Sequence, residues 1–471
     1  MPDEKMIWGV RMDNCGISRR DDPADIQMRC KALIGQPVRT VTDVYYHGVA
    51  EKFCEEKCNA SRAIYEESKQ YLPGGIRGGS ACHTPFPLCM VRADGAYLYD
   101  RDGNRYIDFY QADGAAVLGS DMTAVRETVA ALMGGGALTG LPHGAELMLA
   151  REIRRHMPGI ELFRLFDSGT AALAEALRVA RTVTGHRHVL RPGAAGQVGS
   201  VRPGDLELLE DAFKRNKITG GTAAILVEPL GSGSGAFPVD RDYNAGVRYL
   251  CDRFGALLVF DETVTGFRLA PGGAQSICGV APDLTVFGSV VAGGFVTAGG
   301  VGGKREYAER LSPARAGDKR RICADAAADQ FACLAGCAAI REIVRARACE
   351  YAGEMGDRLS DGLKALIERC NLPFVAYNQG SIVHLECTGT MGYDFASLDP
   401  DRSALSLLRH KRQARARREA AERMDKSILA NGILAPSGGK FFTSLADTPE
   451  IIDDALGRIE TVFRHIAVSK K

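Results

Sequence analysis

Two stretches restrict the fold more than any others: AAILVEP (223–229) and ALLVFDE (256–262). Each is apolar along its length and bounded by turn-forming residues, so each reads as a strand covered on both faces rather than one with a wet side. Between them, VRYLCDRFG carries helical spacing. The same alternation of helical and buried-strand patterns runs from about Thr123 to Phe331, which predicts right-handed βαβ units and a largely parallel sheet. In such sheets ligands bind beyond the carboxyl ends of the strands, so the residues that end each strand are the first candidates for function.

Three such ends carry polar residues. The strand at 256–262 finishes in Asp261 and Glu262, and the following apolar strand, PDLTVFGS, finishes in Phe287, Gly288 and Ser289. Ser168, Gly169 and Thr170 open the helix AALAEALRVAR. A helix N-terminus with a hydroxyl beside it suits an anion, and the same residues also serve as an ordinary N-cap.

The chain organises into four segments: an N-terminal extension (1–58) with many charges and the single Trp8; a helix and hairpin (59–122); a large α/β domain (123–333); and a smaller α+β C-terminal domain (334–471). The hairpin signal is MVRADGAYLYDRDGNRYIDF, turning at Asp102, Gly103 and Asn104. Near the end, SIVHLEC (381–387) reads as a strand and Pro449–Ile466 as a helix. With 59 basic and 58 acidic residues, the balance gives no field that would favour nucleic acid or a membrane surface. The basic helix 403–424 lacks accompanying aromatics and reads as a solvated face. No apolar run reaches membrane length and no signal peptide is visible, so the expectation is a cytoplasmic protein. The 14 cysteines are scattered; Cys54 and Cys58, and Cys333 and Cys337, are spaced to share a helix face but lack partners for a metal site, so no metal is expected.

Seven motifs, in order, carry a family resemblance: PGG (73–75), the hairpin at 92–109, DSGTAALAEALRVART, Glu228–Pro229, DETVTGFR, PDLTVFG and LAPSGGKFFTSLADT. The chain resembles the class III aminotransferases, and among them the glutamate-1-semialdehyde aminomutases, over most of residues 60–466. The resemblance implies a fold type I architecture: a large pyridoxal phosphate (PLP) domain with a mostly parallel seven-stranded sheet, a small α+β C-terminal domain, and a homodimer with sites at its interface. It implies PLP or pyridoxamine phosphate (PMP) as cofactor. Asp261 would then meet the pyridine nitrogen, Ser168, Gly169 and Thr170 would hold the phosphate, and Glu228 would lie among the residues around the cofactor.

Three departures weigh against ordinary cofactor use. Ser289 stands where the resemblance places the lysine that forms the Schiff base, and a serine hydroxyl cannot do so. After HRHVLRPG the sequence continues AAGQVGSVRPGDLELLE, without the tyrosine-histidine-glycine motif that supplies the ring-stacking aromatic. Aligning ICADAAADQFACLAGC puts Asp325 where a threonine would donate to the phosphate of a neighbouring subunit, and a carboxylate there repels a dianion by on the order of 1 kcal/mol or more. Substrate residues depart too: Arg77 is offset, His83 lies nearby, and YQADGAAVLGSDMTAVRE lacks the family's tryptophan and histidines, which argues against glutamate semialdehyde as substrate. Lys304 and Lys440 are the two lysines weighed as substitutes for the missing one. Lys304 reads as a surface residue, whereas Lys440, in a segment that borders the family's active-site mouth, is a candidate for a relocated lysine.

The leading reading is therefore a diverged aminotransferase-fold protein that does not transaminate, acting as a subunit for a heteromeric partner enzyme or using its cleft for another small-molecule ligand. Two alternatives stand beside it: an enzyme using PLP or PMP without a covalent lysine, and a PLP-independent enzyme of a specialised pathway working through Asp261, Glu262, Glu228 and Ser289.

Overall fold

The computed structural model describes residues 6–7, 10–11, 15–18, 21–75, 85–120, 122–135, 141–193, 200–312, 329–389 and 404–469. Trp8, Arg77, His83 and Asp325 lie outside them. The chain groups into two units, one of residues 1–18, 114–118 and 122–351, the other of residues 19–113, 119–121 and 352–471.

The first unit is built on seven strands: β1 (Leu162–Phe166), β2 (His188–Pro192), β3 (Ser200–Val201), β4 (Thr222–Val227), β5 (Leu257–Glu262), β6 (Leu284–Phe287) and β7 (Gly299–Gly303). They lie in the order β1-β7-β6-β5-β4-β2-β3. Pairing is parallel from β6 through β3, and only β7 runs antiparallel, between β6 and β1. This is the mostly parallel seven-stranded sheet that the family resemblance implies.

Alternate residues of the central strands explain their unbroken apolar character. Ala224, Leu226, Leu257, Val259, Leu284 and Val286 point to one face, where they meet Ala172, Ala176, Val179 and Ala180 of helix α1 (Gly169–Thr184). Ile225, Val227, Leu258 and Phe260 point to the other, where they meet Phe213 of α2 (Leu206–Ile218) and Val247, Leu250 and Cys251 of α3 (Tyr243–Phe254). Helices cover both faces, so an apolar side chain at these positions gains roughly 25 cal/mol per Å² of buried area.

β7 reads GGVGG and has no strand propensity of its own. Its glycines are fixed by what stands over them. A Cβ on Gly300 would meet the Phe163 ring at 2.5 Å, one on Gly302 would meet Ile160 at 2.6 Å, and one on Gly299 would overlap the Ser168 carbonyl and the Gly169 nitrogen. The absence of side chains lets the start of α1 rest directly on the sheet.

The second unit holds a four-stranded sheet, ordered Ile433–Leu434, Arg105–Asp108, Tyr97–Asp100, Met90–Asp94, and a three-stranded one, Val375–Gln379, Ile382–Glu386, Lys440–Phe442. The hairpin turns where expected: Asp100 Oδ1 accepts the Asp102 and Asn104 N–H groups at 3.0 and 2.8 Å.

Several boundaries differ from the sequence reading. From residue 21 the stretch expected as an extension is part of the second unit: the helix Pro23–Ile34 lays Ile26 on Val375 and Tyr377, and Arg39–Val41 pairs with Ile466–Val468. The change of unit falls at Tyr351, past the expected 333/334 boundary, because the helix α4 (Gln330–Arg345) packs Ala335 and Ala339 against Val125 and Val129 in the first unit. The basic helix, Ala404–Ala430, is not simply solvated. Arg417 is buried and donates to the carbonyls of Thr388 and Ile34, and Arg423 pairs with Asp43 at 2.7 Å.

Cys54 and Cys58 do not share a helix face, since Cys58 sits outside both flanking helices with φ −128°. Cys333 and Cys337 do lie on α4, and burial pushes their thiols up to about 12 and about 11, the setting of packed rather than reactive cysteines. Among the described residues no three His, Cys, Asp or Glu side chains form a metal-binding group, and no helix is long and apolar enough to cross a membrane.

Candidate active site

β5 carries two adjacent carboxylates with different surroundings. Glu262 is fully buried. It accepts hydrogen bonds from the Ala274 and Gln275 N–H groups at 2.7 and 2.9 Å and from Thr265 Oγ1 at 2.9 Å, which ties the strand end to the helix Gly273–Cys278. Burial raises its carboxyl above the usual range, opposed by those same hydrogen bonds. It is a structural clamp, and its packing requires Gly273 (φ +65°), where a Cβ would lie 2.7 Å from the carboxylate.

Asp261, one residue earlier, is half-buried and faces the other way. Its Oδ1 accepts the Thr263 hydroxyl at 2.6 Å and the Thr263 N–H at 3.1 Å. Its Oδ2 has no partner among the described residues. The strand end therefore presents a single open carboxylate oxygen, of fixed orientation.

Ser168 caps α1, its Oγ accepting the Ala171 N–H at 3.1 Å. A hydroxyl that accepts through a lone pair still has its proton to donate. That proton, the open N–H groups of the first turn and the positive end of the helix dipole suit an anion.

β6 ends at Phe287, and Ser289 opens a single 3-10 turn (Ser289–Ala292). The Ser289 hydroxyl meets only the Ala298 backbone, donating to the carbonyl and accepting from the N–H, each at 3.4 Å. No side chain pairs with it among the described residues, so no base is in place to activate it.

The structure brings these three groups together at one edge of the sheet. A Cβ built on Gly169 lies 3.4 Å from Thr263 Cγ2, 3.4 Å from Gly288 Cα and 3.6 Å from the Phe287 carbonyl. The start of α1, the Asp261–Thr263 turn and the Ser289 turn therefore converge around Gly169. Sequence reasoning missed Thr263; the signal was a hydroxyl two residues after a candidate carboxylate, the spacing of a local side-chain-to-backbone turn.

Other candidates are engaged elsewhere. Both oxygens of Glu228 hold the turn that follows, accepting the Gly233 and Ser234 N–H groups at 3.0 and 2.6 Å. Lys304 pairs at 2.6 Å with the buried Asp283, which also takes Arg248 at 2.7 Å, so Lys304 belongs to a structural ion cluster rather than a free surface. Lys440 lies in the second unit, opposite His384 in the sheet, with its ammonium 5.8 Å from the Phe442 ring centroid. At the end of β2 the chain leaves through Gly193 (φ +95°), and Ser232 donates to the Pro192 carbonyl at 3.0 Å. A side chain at position 193 would overlap Ser232.

The family model for class-III aminotransferases matches residues 79–195 and 202–396. This chain belongs to the class III aminotransferases. A glutamate-1-semialdehyde 2,1-aminomutase from Syntrophobacter fumaroxidans is 32% identical over 373 residues, 72% of this chain and 84% of the relative. Among solved structures, a β-phenylalanine aminotransferase from Variovorax paradoxus aligns over 89% of this chain and 96% of its own, with 27% identity and a TM-score of 0.72. A lysine-to-alanine variant of a glutamate-1-semialdehyde aminomutase from Pseudomonas aeruginosa PAO1, in complex with PMP, aligns over 94% and 99% with 21% identity and a TM-score of 0.74, and shares the fold. The family match is interrupted between residues 195 and 202, a stretch that includes β3.

Proposed function

We propose that this protein is a class III aminotransferase homologue that forms no covalent link to PLP and does not transaminate, and that its first unit keeps a site for a ligand held without a covalent bond. The observation that carries this reading is Ser289: it follows β6, where the family has its lysine, and its hydroxyl is committed at long range to the Ala298 backbone with no base beside it. Serine supplies neither the amine for attachment nor the general acid and base for proton shuttling.

The neighbouring groups favour retained binding. The residues fit the two non-covalent ends of PLP or PMP: the open Oδ2 of Asp261 is an acceptor for a protonated ring nitrogen, and the Ser168–Thr170 turn is a donor set for a phosphate. When bound, such a group supplies an electron sink to an attached amine. This chain's residues would orient it and hold a proton at the ring nitrogen. PMP carries its own amine and needs no lysine to be held, which makes it the better fit of the two. The PMP complex of a lysine-to-alanine variant in a protein of the same fold supports this second reading, of a lysine-independent enzyme. A paired assembly, with another copy or with a heteromeric partner, and a cytoplasmic setting complete the proposal.

Titration of the purified protein with PLP and with PMP, followed by borohydride reduction and peptide mass spectrometry, tests it. The expected result is reversible PMP binding with no lysine modified by PLP. A stoichiometric phosphopyridoxyl group on Lys440 would replace this account with one of a relocated lysine.

A further inference from the structure

Thr263 holds the carboxylate and turns its methyl toward the start of α1. Its hydroxyl and its N–H both donate to Asp261 Oδ1, at 2.6 and 3.1 Å, while its methyl Cγ2 lies 3.4 Å from the Cβ position of Gly169. Two donors on one oxygen fix the rotation of the carboxylate, because the second torsion of an aspartate is otherwise broad.

We infer that Thr263 is a positioning residue that commits Asp261 Oδ1 and leaves Oδ2 as the open acceptor, so that the site selects planar ligands carrying a protonated ring nitrogen at a fixed distance from a phosphate. This inference rests on the reading of the cleft as a non-covalent site. Without the hydroxyl, the carboxylate rotates and loses a donor, and both the register of the ring nitrogen against the anion turn and the preference for its protonated form weaken.

Thr263→Val removes only the hydroxyl, since valine keeps the methyl that faces Gly169. PMP binding to the wild-type protein, Thr263→Val and Thr263→Ser is measured by calorimetry, with the ring-nitrogen NMR shift of ¹⁵N-labelled PMP as the second readout and the melting temperature as control. The expected outcome is a Kd raised about fivefold to tenfold in Thr263→Val, the strength of one charge-assisted hydrogen bond acting through orientation. The ring-nitrogen shift should move toward the unprotonated form, and Thr263→Ser should stay near wild type in both readouts. Unchanged affinity and unchanged nitrogen shift in Thr263→Val overturn the inference and leave the site standing. Absence of any PMP binding by the wild-type protein sinks both.

Discussion

β5 and β6 are neighbours in register, with Asp261 beside Val286 and Glu262 beside Phe287, yet their carboxyl ends differ in kind. The end of β5 is fully furnished: one carboxylate clamps the scaffold and the other offers a single oriented oxygen. The end of β6 offers a serine with two long backbone contacts and, among the described residues, no side-chain partner. Binding groups and bond-making groups sit on separate strands, so a chain can shed the second while the packing that aims the first stays intact.

The sharpest break in that comparison comes from exchanging the roles within β5. Glu262→Ala leaves the Ala274 and Gln275 N–H groups and the Thr265 hydroxyl buried without an acceptor, and should cost about 3–4 kcal/mol in urea unfolding. Asp261→Ala, at the half-buried site one residue away, should cost about 1 kcal/mol or less while abolishing PMP binding. Equal stability losses would mean that both carboxylates are structural.

A smaller effect concerns pH. Burial raises the Glu262 carboxyl above its ordinary value of 4.5, so the folded state holds the proton where the unfolded chain has lost it. The Glu262 contribution to stability should therefore be full below pH 4.5 and be lost as the pH rises through the folded value. In Glu262→Gln that slope should flatten, as read from unfolding midpoints across the same pH range. An unchanged slope would remove Glu262 as its source.

Much of this was legible in the residues because one physical signal dominated each part. Runs such as AILV and LLVF are apolar at both alternations, and only a doubly covered strand demands that. Asp261 was legible because a carboxylate ending such a strand has no packing reason to be there. The glycine strand β7 was not, since GGVGG has neither periodicity nor propensity and becomes a strand only because Phe163, Ile160 and the Ser168 carbonyl leave room for nothing larger. Nor was the docking of residues 21–58, whose helix Pro23–Ile34 buries only Ile26 and Leu33 and so shows little amphipathic pattern. Thr263 was passed over because its role lies in a hydroxyl that points back at its own turn.

The central claim, that the site has lost more than one nucleophile, is tested most directly by Ser289→Lys. At Gly193 Ser232 occupies the space of any side chain, and the sequence that follows, AAGQVGS (194–200), carries no aromatic residue. The variant, supplied with PLP and amino-donor and keto-acid pairs and followed by absorbance and product formation, should show no transamination turnover above wild type. Turnover restored by this single change would contradict the account and reduce the divergence to one residue.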